Sequence, residues 1–110
     1  MRFLSIYKTK ETGVPPSPEH IAEMGKLIEE SMKSGVLIAT EGCLPSARGA
    51  RVRRAGANVT VTDGPFTESK EVVGGFWLLE ATTYDEVLAF LKDHPHLEAG
   101  SLEVRQIWDM

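Results

Sequence analysis

The chain has 110 residues, 42% apolar and 25% charged, with 12 basic against 16 acidic residues and a net charge of −4. That length holds one domain, spanning 1–110, able to bury roughly two-thirds of its unfolded surface without a staple, and the composition argues against disorder. The acidic balance makes nucleic acid a poor general partner, and the lone Cys43 excludes an internal disulfide, a Cys-x-x-Cys pair and a cysteine-rich zinc site.

The first expected element is a strand over 2–8, RFLSIYK, short and rich in β-formers and followed by a Gly/Pro stretch. Ser17 then precedes Pro18, an N-cap before the proline that suits a first helical turn. Ile21, Met24, Leu27, Ile28 and Met32 recur at helical spacing, and Gly35 stands where a left-handed residue closes a helix. An apolar strand follows over 36–40. Arg51–Arg54 and Asn58–Thr62 flank Ala55-Gly56-Ala57 and read as a hairpin. The polar loop 63–71, DGPFTESKE, leads to a third apolar strand over 75–81. Thr83 and Glu86 form a capping box for a second helix that stops before Pro95, and 102–108 is the last strand.

The N-terminus lacks the apolar run and cleavage pattern of a signal peptide, and no stretch approaches the roughly 20 apolar residues that cross a bilayer. With one unpaired cysteine, the expected location is the cytoplasm.

The order β-α-β, hairpin, β-α-β folds into a ferredoxin-like antiparallel sheet with both helices on one face, an α+β class. Val36 and Ile38 point opposite to Leu37 and Ala39, and Phe76 and Leu78 opposite to Trp77 and Leu79, yet all are apolar. Two helices cover only one side. A twin subunit is the simplest cover for the other, so a homodimer closing an α+β barrel is expected.

The run DGPFTESKEVVGGFWLLEA, with GVLIATEGCLPS at 35–46, ARVRR at 50–54 and EVRQI at 103–107, resembles the DGPF-type members of the YCII-related family over nearly the whole chain. The resemblance implies a dimeric α+β barrel. It also implies kinship with cofactor-free decarbonylases and dehalogenation-type enzymes, some of which work through a His–Asp pair. Genes of DGPF-type members tend to lie beside those of extracytoplasmic-function sigma factors, so a sigma factor is one implied partner. No cofactor is implied, and without a G-x-G-x-x-G after a strand a dinucleotide site has no support.

Asp63 follows a strand and is the first candidate general base, against the commoner role of bonding its own backbone in a turn. Glu41, at a strand end, is the second; turned inward it would be desolvated and suited to acid–base work, turned outward it is an ordinary surface carboxylate. Gly64 and Pro65 shape the loop, and Lys70, Arg51 and Trp77 complete the candidate ligand contacts. Arg48, Arg51, Arg53 and Arg54 form the only basic cluster, suited to an anion or to guarding a strand edge. His20, in the first helical turn, matches the family's histidine in position alone. His94 is read as complementing the second helix's C-terminus, and His94 and His96 without a carboxylate or cysteine do not make a metal site. The expected function is binding of an unidentified small organic molecule. The alternatives are a cofactor-free lyase or hydrolase using Asp63 or Glu41, and regulation of a sigma factor through the arginine hairpin.

Overall fold

The computed structural model describes residues 1–108. Strand β1 spans Arg2–Thr9, helix α1 Pro18–Ser34, β2 Leu37–Gly42, β3 Ala50–Ala55, β4 Asn58–Asp63, β5 Val72–Glu80, α2 Tyr84–Leu91 and β6 Gly100–Gln106. Short 3₁₀ turns occupy Ser46–Arg48 and Pro95–Glu98. The helix boundaries follow local chemistry. Ser17 Oγ accepts the His20 N–H, Pro18 opens the first turn, and Gly35 closes α1 at φ 83°. Thr83 Oγ1 accepts the Glu86 N–H, while the Glu86 carboxylate reaches back one residue further than expected, to the Thr82 N–H.

Four strands pair in the order β2-β5-β1-β6, all antiparallel, which is the ferredoxin-like arrangement. The strand expected over 75–81 begins earlier, at Val72, because β1 is long enough to pair with it down to Thr9. β3 and β4 form a separate two-stranded sheet, joined by a two-residue turn in which Gly56 takes φ 62°.

Phe3, Ser5, Trp77 and Leu79 are cross-strand neighbours on one face and are fully or nearly fully buried. With Leu37 they meet Val87 and Leu91 of α2, and Met24, Leu27 and Ile28 of α1. Both helices therefore cover the same side. Leu4, Ile6, Phe76 and Leu78 occupy the opposite face and stay partly exposed. Next to them β2 bulges between Leu37 and Ala39, leaving Ile38 44% exposed. The doubly apolar sheet is thus present, with its second face open. No helix among the described residues is long and apolar enough to cross a membrane.

Candidate functional site

The DGPF loop is held by close backbone packing. Asp63 is the last residue of β4, opposite Ala50; it is exposed, and no side-chain hydrogen bond of its carboxylate is found among the described residues. Gly64 N–H donates to Gly49 O at 3.0 Å. A Cβ on Gly64 would stand 1.8 Å from Ser46 O, so only glycine permits this approach. The Gly64–Pro65 peptide is cis. Phe66 N–H donates to Ser46 Oγ at 3.1 Å, and Ser46 N–H donates to Glu11 Oε2 at 2.8 Å, which ties the segment after β1 to the loop.

Arg51 is consumed inside this structure. Its guanidinium lies 4.0 Å above the Phe66 ring, pairs with Glu68 and donates to Ser69 Oγ at 2.9 Å. The Glu68 carboxyl titrates below its ordinary range, owing first to its own backbone N–H and then to Arg51.

Between this loop and the Thr9 end of β1 lies an open cavity of about 370 Å³, with Thr9, Lys10, Glu11, Ser46, Phe66, Ser69 and Lys70 in its wall. Pro65 also lines it, whereas Asp63, Glu41 and Arg51 do not. Glu41 is exposed on the open face of the sheet, opposite Phe76. Trp77 is 3% exposed and belongs to the core beneath the helices, against Phe90 and His94. Its position in a strand that is apolar on both faces left its side undecided; the register sends it to the helices, away from the cavity.

Beside the cavity the structure assembles a group that the sequence reading did not. Tyr7, two residues before Thr9 on the same face of β1, stacks on the His96 ring at 3.9 Å between centroids. His20 stacks on His96 from α1 at 5.5 Å, and His94 lies 4.9 Å from His96 and 4.5 Å, edge-on, from Trp77. Gly74 and Gly100 make room for the phenol ring: a Cβ on either would come within 2.8 and 2.9 Å of it respectively.

His94 is therefore no cation complementing a helix end. It is 3% exposed, and its Nδ1 accepts the His96 N–H at 3.2 Å, capping the 3₁₀ turn. Burial first, and then the charges of the neighbouring imidazoles, lowers its pKa from 6.5 to about 4. His96 is lowered to about 4 by burial and by His20. Both rings are neutral near pH 7. Stacked rings direct their in-plane lone pairs apart, and among the described residues no group of three or more His, Cys, Asp or Glu is placed to hold a metal ion. The signal for this cluster was the His-Pro-His run, which bends both imidazoles back under the sheet.

These features define an α+β protein with a ferredoxin-like sheet, an open cavity at one sheet end and a stack of imidazoles beside it. The YCII-related domain matches residues 1–110, and the chain belongs to that family. An uncharacterised protein of Rhizobium meliloti (strain 1021), R00369, is 33% identical over 78 residues; the match takes in 69% of this chain and 63% of that protein's length. Among solved structures, 5-chloro-2-hydroxyhydroquinone dehydrochlorinase (TftG) of Burkholderia phenoliruptrix AC1100, in complex with 2,5-dihydroxybenzoquinone, superposes with a TM-score of 0.55 at 17% identity. The match covers 98% of this chain and 94% of that one, a likeness of fold.

Proposed function

We propose that the chain binds a small organic molecule carrying acidic oxygens in the cavity beside the DGPF loop, as a homodimer. The observation that carries this reading is the state of the cavity's hydroxyls. Ser46 Oγ accepts from Phe66 N–H and Ser69 Oγ accepts from Arg51, so each retains its own proton to donate. Lys10 and Lys70 add two cations to the wall, against the single carboxylate of Glu11, whose Oε2 already accepts the Ser46 N–H, and Phe66 adds an aromatic surface. Donors and cations suit an enolate, phenolate or carboxylate oxygen, and the Phe66 ring suits a planar skeleton.

A second reading, a cofactor-free lyase, draws support from the histidine stack. An imidazole can accept a proton without a cofactor, and half-buried His20 is the ring at the end of the stack. None of Asp63, Glu41 and His20 lines the cavity; of the three, His20 alone is half-buried and held against another ring. The likeness to a dehydrochlorinase favours the same class of chemistry, elimination from a hydroxylated ring.

The test is calorimetric titration and thermal shift with 2,5-dihydroxybenzoquinone and with benzoate-type acids as probes. Binding should raise the melting point, and Lys70→Ala and Phe66→Ala should each weaken it about tenfold or more with little loss of fold. Saturable binding that is indifferent to both substitutions, or no binding across the acidic series, would overturn the assignment. Turnover lost in His20→Gln with binding retained would favour the lyase.

A further inference from the structure

We propose that the β3–β4 hairpin is an arm that clasps a second copy of this chain, seating its valine face on the rim of that copy's open sheet. The proposal rests on the homodimer reading above and adds to the packing of sheet on sheet a second contact at the rim of the same face.

Apart from Arg51, which reaches the DGPF loop, the arm does not fold onto its own subunit. β3 and β4 pair only with each other, and every residue in them except Arg51 is exposed. Molecular dimensions are 46 × 40 × 19 Å, and the Cα radius of gyration is 15.9 Å, where a compact chain of this length gives about 13 Å. A lone two-stranded hairpin is marginal in water. This one also presents an apolar face: Val52 pairs with Val61 and Arg54 with Val59, and the three valines are 69%, 63% and 51% exposed. An edge of this kind left uncovered invites association.

Charge selects the occupant. The arm and its flank, 47–63, hold four of the twelve basic residues, Arg48, Arg51, Arg53 and Arg54, and one of the sixteen acidic ones, Asp63 at its base. The remainder of the chain therefore carries eight basic against fifteen acidic residues, a basic arm on an acidic body. Arg51, occupied by Glu68, Ser69 and Phe66, and Arg53 lie on the other face, which leaves Arg54 as the cation on the valine face, with Asp63 at the base of that face. The body supplies what that face lacks. Its open sheet side carries Leu4, Ile6, Phe76, Leu78 and Ile38, and Glu41 stands exposed beside them, opposite Phe76 on the edge strand β2. Apolar centre and carboxylate rim on one surface match valine centre and arginine rim on the other. A second copy offers this surface.

The experiment is sedimentation and light scattering on the full chain. Four variants are compared with the wild type: Val52→Asp, Arg54→Glu, the charge swap Arg54→Glu/Glu41→Arg, and Leu78→Lys in the sheet face. Circular dichroism and the melting point of each variant verify folding. The expected result is a wild-type dimer that weakens with added salt, and about a tenfold or greater rise in the dissociation constant for Val52→Asp and for Arg54→Glu. The charge swap should recover most of the loss. If the arm variants dimerise like the wild type while Leu78→Lys is monomeric, the arm proposal fails and the sheet pairing stands. A wild type that is monomeric throughout removes the dimer reading and the clasp together. Binding of a purified sigma factor that Arg54→Glu abolishes without changing dimerisation would assign the arm to that partner and overturn the clasp.

Discussion

Acid should destabilise this protein well above the pH at which its carboxylates protonate, and His94 should carry a measurable share of the effect. Its pKa is about 4 in the fold and near 6.5 in the unfolded chain. Because the folded value is the lower one, the unfolded chain takes up the proton first. The stabilisation is complete above about pH 6.5 and drains away as pH falls towards 4. One proton with those two constants costs roughly 2 kcal/mol between pH 7.5 and pH 5, or about 1 M in a urea midpoint. His96, also lowered to about 4, adds a second contribution of the same sign. The assay is urea unfolding at fixed protein concentration across pH 7.5 to 5, for the wild type and His94→Asn. Asparagine keeps an acceptor for the His96 N–H but cannot titrate. It loses the edge contact with Trp77, so the variant should be weaker at pH 7.5 yet show a distinctly shallower slope. Equal slopes for the two proteins would refute the argument that burial of this ring governs acid stability.

Two other predictions concern the local geometry. Gly64→Ala should destabilise by about 2–3 kcal/mol, read by urea unfolding, because the added Cβ meets backbone at 1.8 Å and no side chain can yield; a change under about 0.5 kcal/mol would mean that the loop relaxes freely. Thr83→Ala should cost about 1 kcal/mol through loss of the cap on Glu86 N–H, and Thr83→Ser should restore it, measured in the same way.

Much of the fold was legible because it is written in periodicities. Met24, Leu27 and Ile28 at helical spacing foretold the buried stripe of α1, and Ser17 and Gly35 marked its ends in the chemistry that ends require. Alternation in β5 separated Trp77 and Leu79 from Phe76 and Leu78, although it could not say which pair faces the helices. That choice is made by pairing: Trp77 lies opposite Ser5, and Leu79 opposite Phe3. The site was legible only in part. The DGPF run pointed to Gly64, Pro65 and Lys70, which do meet the cavity as packing or lining. His94 and His96 announce themselves in the His-Pro-His run, but His20 stands some 75 positions earlier in the chain, and nothing short of the tertiary fold brings its ring to theirs. Arg51 misled for a related reason, since its partners Glu68 and Ser69 follow a turn whose path the sequence does not encode locally.

The position of the site follows from a single strand. β1 lies between β5 and β6, so every second residue of it faces the helices. Read along that face, it passes from Phe3, fully buried in the core, through Ser5, buried but polar, to Tyr7 in the imidazole stack and Thr9 at the cavity wall. Apolar chemistry gives way to polar chemistry over four residues of one strand. Gly74 in β5 and Gly100 in β6 clear the flanking strands where the change happens, and the bulge in the β1–β5 pairing between Tyr7 and Lys8 falls there too. Thr9 Oγ1 donates to Ala99 O at 3.0 Å, beside Gly100, so the cavity wall is anchored to the turn that carries His96. A ligand pressing on Thr9 would act on the same short stretch of backbone that sets the His96 ring against Tyr7. The cavity and the stack are therefore two parts of one strand end, and a slip of one residue in β1 would replace Tyr7 and Thr9 with Ile6 and Lys8 and abolish both.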